Sequence, residues 1–175
     1  MLLSLIAALD EDGAIGRAGG GLPWHIPEET AHFRAYCAGK WLLAGRRTFE
    51  EMKGWFQPGQ RVFVLTQGSA KAPGRAVGSV AEAIARAETA GAEELVVLGG
   101  AQVFALALPL ASRLVLSRLR HRSGGEVFFP RVDWGRWRLA NSESRRDAST
   151  GIGFVIEHYA RRHEEERKAE TEGKG

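Results

Sequence analysis

Apolar residues fall along this chain in short continuous runs that alternate with stretches of helical character. The first run, at residues 2–9, is apolar almost throughout, which is typical of a strand covered on both faces. Comparable runs follow at 41–44, 61–66, 94–98 and 113–119. This alternation predicts an α/β domain built on a largely parallel sheet.

The end of the chain breaks the alternation. Residues 137–140 and 152–161 are predicted strands joined by a polar loop. Consecutive strands without an intervening helix favour an antiparallel hairpin at one edge of the sheet. Residues 163–175 are almost all charged or small, which predicts a disordered tail after a domain at 1–162.

Helix signals lie between the predicted strands. Pro27 suits the first position of a helix. Residues 48–53 indicate a brief helix, and 101–108 a longer one that follows a Gly-Gly pair. Residues 79–82, read SVAE, form a capping-box pattern, and the helix that they open ends at Gly91.

The composition is that of an ordinary globular domain, with 44% hydrophobic and 26% charged residues among 175. No apolar run approaches the roughly 20 residues that span a bilayer. Acidic residues at 10–12 follow the first run directly, so that run is interpreted as a strand and not as a signal peptide. A single cysteine, Cys37, excludes an internal disulfide and favours a cytoplasmic location.

The net charge of +3 is modest, and basic residues concentrate at 46–47 and 118–122. The second cluster is interpreted as a solvated strand end, because nucleic-acid readers usually carry a broader basic face or a recognisable module. Neither a nucleic acid nor a membrane is an expected partner.

Residues 15–33, read IGRAGGGLPWHIPEETAHF, combine a glycine-rich loop, a Leu-Pro-Trp corner and a helix start. Glu29 falls in the first helical turn, and Phe33, four residues later, lies on the same helix face. An acid beside an aromatic ring suits a flat, basic heterocycle. Each residue also has a structural explanation: Glu29 favours the helix dipole, and Trp24 and Phe33 pack. The functional reading depends on their joint occurrence.

Three predicted strand–helix junctions carry groups that suit an anion. They are the Gly-Arg-Arg-Thr stretch at 45–48, Thr66-Gln67, and Gly99-Gly100. Arginines at a helix start are unfavourable for the helix itself, and a bound phosphate would explain them. Surface arginines and a tight turn explain the same residues equally well. No G-x-G-x-x-G follows the first strand, so the ordinary dinucleotide fingerprint is absent.

Taken together, these segments resemble the chromosomal-type dihydrofolate reductases. The resemblance runs in one order over residues 2–161. The matching stretches read LSLIAAL (3–9), IG (15–16), LPWHIPEE (22–29), F (33), GRRTFE (45–50), PG (58–59), VFVLT (62–66), VVLGGAQVF (96–104), LVLS (114–117), GEVFFP (125–130) and FVIEHYAR (154–161).

The resemblance implies a single-domain, three-layer α/β fold. Its sheet is mixed and mostly parallel, with eight strands, an antiparallel C-terminal edge and helices on both faces. It also implies an NADPH-dependent enzyme that reduces 7,8-dihydrofolate to 5,6,7,8-tetrahydrofolate, supporting one-carbon metabolism and thymidylate synthesis. The expected protein is a monomer whose partners are small molecules, with no metal.

The resemblance also assigns roles to residues. Glu29 would accept two hydrogen bonds from the pterin, and a water beside Leu22, ordered with the help of Trp24, would protonate N5. The implied substrate contacts are Ile6, Ala7, Glu29, Thr30, Phe33, Arg34, Met52, Gln60 and Ser117. The implied cofactor contacts are Ala8, Ile15, Gly16, Gly45, Arg46, Arg47, Thr48, Thr66, Gln67, Leu98, Gly99, Gly100, Ala101, Gln102, Val103 and Phe104.

The chain departs from the family at the position after Pro-Gly, where a basic residue usually binds the folate glutamate. Gln60 stands there. Arg61 is basic, but neighbouring strand residues point to opposite faces, and Arg34 is another candidate. The alternatives are a reductase of a tail-less pterin, a reductase of a pyrimidine intermediate of flavin synthesis, and a non-catalytic NADPH-binding module. The LPW corner with Glu29 argues against the last two.

Overall fold

A mixed eight-stranded sheet forms the centre of the computed structural model, which describes residues 1–67, 75–164, 166, 168 and 169. The strands are β1 (Leu2–Leu9), β2 (Ala14–Gly16), β3 (Trp41–Gly45), β4 (Val62–Leu65), β5 (Ala76–Val77), β6 (Glu94–Gly99), β7 (Arg113–Leu119), β8 (Val127–Phe128), β9 (Trp137–Arg146) and β10 (Gly153–Arg161). Their order in the large sheet is β5-β4-β3-β6-β1-β7-β10-β9, and β2 pairs separately with β8.

The strand directions confirm the predicted mixture. β1 is parallel to both β6 and β7, and β3 is parallel to β4 and β6. β10 is antiparallel to β7 and to β9, so the C-terminal hairpin forms the antiparallel edge. β1 lies inside the sheet and is buried from Leu3 to Ala7, which accounts for its continuous apolar sequence.

Helices cover both faces of the sheet. They are α1 (Pro27–Cys37), α2 (Arg46–Glu51), α3 (Val80–Thr89) and α4 (Ala101–Ala107), with short 3-10 turns at Leu108–Leu110 and Trp134–Arg136. The core on one face joins α1 and α2 to sheet residues such as Leu42, and the core on the other joins α3 and α4 to residues such as Leu43. Consecutive strand residues therefore serve opposite layers.

The helix signals correspond to observed caps. Ser79 Oγ accepts a hydrogen bond from the Glu82 amide at 3.0 Å, and Glu82 Oε2 accepts one from the Gly78 amide at 2.7 Å. Gly91, two residues beyond α3, has a φ of +77°, which a side chain would disfavour. The capping box predicted from the sequence is thus confirmed, with its acid bonded one residue earlier than the standard pattern.

Three predicted boundaries were wrong by two residues or more. The helix predicted at 48–53 is α2, which begins at Arg46 and ends at Glu51. The loop expected over 10–25 contains β2, whose three residues are too few to show a periodicity and whose partner strand begins at Val127. β9 continues to Arg146, beyond the predicted end at 140, because every residue after Trp137 is exposed on this edge strand and leaves no apolar pattern. Of the tail predicted at 163–175, residues 165, 167 and 170–175 lie outside the described residues.

Loops lead from the carboxyl-terminal ends of the parallel strands into the helices. These loops lie together at the carboxyl-terminal edge of the parallel strands, which is where ligands bind in open α/β sheets. None of the helices in the described ranges has the length and apolar character needed to cross a bilayer.

Candidate active site

A cleft of about 1620 Å³ opens at this edge of the sheet. Most of the residues expected to contact substrate or cofactor line it. Those residues are Ile6, Ala7, Ala8, Ile15, Gly16, Leu22, Trp24, Glu29, Thr30, Phe33, Gly45, Arg46, Arg47, Thr48, Met52, Thr66, Gln67, Leu98, Gly100, Ala101, Gln102, Val103 and Phe104. The expected residues that do not line the cleft are Arg34, Gln60, Gly99 and Ser117.

The Glu29 end of the cleft comprises Trp24, Glu29 and Phe33, with Ser117 behind Glu29. Glu29 is 5% exposed, and its Oε1 atom has no hydrogen-bond partner among the described residues. Burial raises the pKa of Glu29 to about 7, and a hydrogen bond from the Ser117 hydroxyl opposes that rise in part. Ser117 therefore acts on the cleft through Glu29, without lining it.

Trp24 supplies a second polar atom without a partner. Its indole Nε1 is buried and forms no hydrogen bond within the described part of the chain. Buried polar atoms are nearly always paired in folded proteins. A donor at Trp24 and an acceptor at Glu29, both lining one cleft, indicate a place where a ligand or ordered water completes the hydrogen bonding.

The arginine end of the cleft comprises Gly45, Arg46, Arg47, Thr48 and Gly100. Glycines let the β3–α2 and β6–α4 junctions approach each other closely. A Cβ atom on Gly45 would lie 3.1 Å from Val103 Cγ2, and one on Gly100 would lie 3.4 Å from Thr48 Oγ1. Both helix starts thus present backbone to the cleft, which suits an anion.

The two arginines have different surroundings. Arg47 donates a hydrogen bond from Nη2 to the Ala18 carbonyl at 3.2 Å, and its Nε lies 3.5 Å from Glu51 Oε1. It therefore ties α2 to the glycine-rich loop. Arg46 is exposed, lines the cleft and has no hydrogen bond or ion pair with any described residue. Arg46 is thus the arginine that is open to a bound anion.

The basic residue missing at Gln60 has no direct replacement. Gln60 accepts a hydrogen bond from the Gln57 amide at 3.1 Å and donates one to the Cys37 carbonyl at 3.5 Å, so its side chain ties its own loop to the end of α1. Arg61 lies over the ring of Trp41 at 5.0 Å, and Trp41 packs on the core beneath α3 and α4. Arg61 is thus on the sheet face opposite α1.

Arg34 is better placed than Arg61. Its guanidinium carbon lies 5.8 Å from the ring centroid of Trp55, which lines the cleft and meets the Phe33 ring edge-on at 5.2 Å. Of the arginines considered for the glutamate contact, Arg34 is therefore the one beside the cleft.

Sequence reasoning missed a third helix start on the cleft. Gly78 and Ser79 line it, although the capping box suggested only a helix boundary. The strand–turn–helix pattern that singled out 45–48 was not visible here, because β5, the strand before this helix, has only two residues. The further lining residues are Arg17, Gly20, Gly21, Glu51, Trp55, Leu65, Val80, Ala81, Leu106, Leu110 and Val127. Within the described residues, no group of three or more His, Cys, Asp or Glu side chains is arranged to hold a metal ion.

Comparison with known proteins identifies relatives of this chain by sequence and by fold. The family model described as dihydrofolate reductase matches residues 2–161. A dihydrofolate reductase of Neisseria meningitidis is 41% identical over 160 residues, covering 91% of this chain and 98% of its own. One from Mycobacterium tuberculosis is 38% identical over 157 residues, covering 82% and 93%. A dihydrofolate reductase structure from Enterococcus faecalis, complexed with NADP(H) and RAB-propyl, aligns with a TM-score of 0.83 at 31% identity, covering 93% and 97%.

Proposed function

Since the chain belongs to the dihydrofolate reductase family, we propose that it reduces 7,8-dihydrofolate to 5,6,7,8-tetrahydrofolate with NADPH. One observation carries the proposal. Glu29 is a buried carboxylate whose Oε1 has no partner among the described residues. It lies on a cleft whose other end has glycine-rich helix starts and Arg46, which is exposed and pairs with no residue in the described part of the chain. A basic heterocycle and a phosphate-bearing cofactor match these two ends.

The arginine end fits NADPH by its donor set. Arg46 and the Thr48 hydroxyl would hold the phosphates of the adenosine half, together with amides of the α2 and α4 starts. Ala8, Ile15 and Gly16 would flank the nicotinamide. NADPH, when bound, supplies the hydride that C6 of the pterin accepts.

Glu29 binds and orients the pterin in this proposal. Its ionised carboxylate accepts hydrogen bonds from the 2-amino group and N3, a charge-assisted contact with two donors. The unpartnered Oε1 supports this role, since a ligand donor would satisfy it. Because the ring is polarised toward this carboxylate, C6 becomes a better acceptor of the hydride.

A water molecule delivers the proton to N5, since Glu29 contacts the far side of the pterin ring. Leu22 covers the place for this water from the glycine-rich loop, and this residue is 52% exposed, so the loop leaves access for solvent. Nε1 of Trp24, which has no hydrogen-bond partner within the described ranges, donates to the same water and holds it in place.

The proposal extends to the glutamate tail, for which Arg34 is the assigned partner. It takes residues 1–162 as the catalytic domain of a cytoplasmic monomer that serves one-carbon metabolism and thymidylate synthesis. Family membership supports these parts, and the position of Arg34 beside Trp55 supports the tail contact.

A tail-less pterin is the second candidate substrate, because Gln60 stands where the family usually has a basic residue and its side chain is bonded to Gln57 and Cys37. The test is the loss of NADPH absorbance with dihydrofolate and, in parallel, with dihydrobiopterin. Turnover at micromolar dihydrofolate supports the main proposal. Turnover with dihydrobiopterin alone would replace it with the second, and turnover with neither would reject both.

A further inference from the structure

The helix that carries Glu29 begins without a side-chain cap of its own. The N-cap residue of α1 is Ile26, an apolar residue that is buried in the core and cannot accept hydrogen bonds from the first-turn amides. Such amides have no partner within the helix and need one from elsewhere. The start of α1 therefore depends on another part of the chain.

Asp147, in the loop between β9 and β10, supplies that partner. Its Oδ1 accepts a hydrogen bond from the Glu28 amide at 2.9 Å. In return, the Ala148 amide donates to Glu28 Oε1 at 3.4 Å. The pair of contacts is a capping box formed across 119 residues of sequence.

The Asp147 carboxylate is itself held in place. Its Oδ2 accepts hydrogen bonds from Ser149 Oγ at 2.7 Å and from the Thr150 amide and hydroxyl at 2.8 Å each. Its side chain is buried, with the residue 1% exposed. The Glu28 amide is the main cause that holds the pKa of Asp147 well below its usual range, so the carboxylate is charged at neutral pH.

We propose that Asp147 is a positioning residue for Glu29, fixing the first turn of α1 from the hairpin loop and thereby the direction of the Glu29 carboxylate. Asp147 bonds the residue directly before Glu29, so a shift of this turn moves Glu29 with it. Displacements of about 1 Å are enough to cost a large part of a rate. This inference rests on the role proposed above for Glu29.

The test compares Asp147→Ala and Asp147→Asn with wild type. Asp133→Asn is the matched control, because Asp133 also caps a helical turn, bonding the Gly135 amide at 3.2 Å, but lies exposed at the start of the 3-10 turn before β9. The measurements are the single-turnover rate of hydride transfer, KM for dihydrofolate, the Kd of NADPH, and hydrogen exchange of the Glu28 amide.

Asp147→Ala is expected to slow hydride transfer and raise KM for dihydrofolate, each about tenfold, while the Kd of NADPH changes less than about twofold. Exchange of the Glu28 amide should quicken about tenfold. Asp147→Asn should fall between, because its one amide oxygen can serve Glu28 or Thr150 but not both. Asp133→Asn should match wild type.

A merely structural role would give a different result. If both Asp147 variants melt at lower temperature but keep the wild-type hydride-transfer rate and KM at a temperature where they are folded, the inference is overturned. Wild-type turnover separates this failure from that of the proposed function. Without dihydrofolate reduction every protein would be inactive, whereas a wrong inference leaves wild type and variants equally active.

Discussion

The Glu29 end and the arginine end of the cleft differ in how much water reaches their charged groups. Glu29 is 5% exposed and its pKa is raised to about 7 by burial, whereas the Arg47 side chain is 66% exposed. Charges interact more strongly where water is excluded, and salt screens exposed ones. One residue should therefore dominate at the first end, while several share the binding at the second.

Replacing the buried acid should have the largest effect. Glu29→Gln keeps the size of the side chain but removes the charge that orients and polarises the pterin. We expect hydride transfer to slow about 100- to 1000-fold, or about 3–4 kcal/mol, with the Kd of NADPH unchanged. Single-turnover kinetics at neutral pH measure this. Glu28→Gln is the control, since its oxygen can still accept from the Ala148 amide, and near-normal rates in Glu29→Gln would contradict the role of Glu29.

The stability of the unliganded protein tests the same burial without catalysis. Because the pKa of Glu29 is raised from 4.5 to about 7, the folded state holds this proton more tightly than the unfolded state. The stabilisation from this proton is complete below pH 4.5 and is lost as pH rises to about 7, by at most about 3 kcal/mol. Glu29→Gln removes this loss, so the variant should gain on wild type as pH rises from 5 to 8.

A buried histidine changes stability with pH in the opposite direction to Glu29. The quantity to measure is therefore the difference in the free energy of unfolding between wild type and Glu29→Gln. Burial, then Arg145 and His158, lower the pKa of His32 from 6.5 to about 4, so its contribution to stability grows with pH over that range. Wild type and Glu29→Gln both contain His32, so its contribution cancels when their free energies of unfolding are subtracted. Denaturant unfolding at several pH values measures these free energies. If the difference in the free energy of unfolding stays constant from pH 5 to 8, the pKa of Glu29 is not raised in the folded protein.

At the arginine end the expected effect is smaller and depends on the cofactor. Arg46→Ala should weaken the binding of NADPH by about 2 kcal/mol, the scale of a hydrogen bond between charged groups. The affinity for NADH should remain nearly unchanged. Equilibrium fluorescence titrations with both cofactors measure the two affinities. Arg47→Ala is the comparison, because Ala18 and Glu51 already engage its guanidinium. The expected difference arises because NADPH carries a 2′-phosphate that NADH lacks, and equal losses of affinity for the two cofactors would mean that Arg46 does not bind this phosphate.

Whether the sequence could predict a feature of these regions depends on how far apart in the sequence the contacting residues are. The helix start at Pro27 and the shared face of Glu29 and Phe33 depend on residues a few positions apart, so periodicity and capping rules suffice. The bond from Glu28 to Asp147 joins residues 119 apart, and no local pattern reports it. The pairing of β2 with β8 was missed for the same reason.

Side-chain direction is a second limit. The sequence named both Arg34 and Arg61 as substitutes for the missing basic residue at Gln60, and strand alternation raised the doubt about Arg61. Arg61 stacks on Trp41, and Trp41 packs with α3 and α4. The Arg61 side chain is therefore on the face of the sheet opposite α1. Periodicity identifies which residues share a face, but the partners across that face come from the whole fold.

The smallest effect is expected at the mouth of the cleft, where Arg34 is exposed. Arg34→Ala should raise KM for dihydrofolate about three- to fivefold, below about 1 kcal/mol, without changing kcat, because a solvated ion pair contributes little. Dihydropteroate lacks the glutamate, so its KM should not change. Arg61→Ala should leave both substrates unaffected, since its side chain covers the opposite face. If Arg61→Ala raised KM for dihydrofolate and Arg34→Ala did not, Arg61 would be the residue that binds the glutamate tail. The assignment of Arg34 would then be wrong.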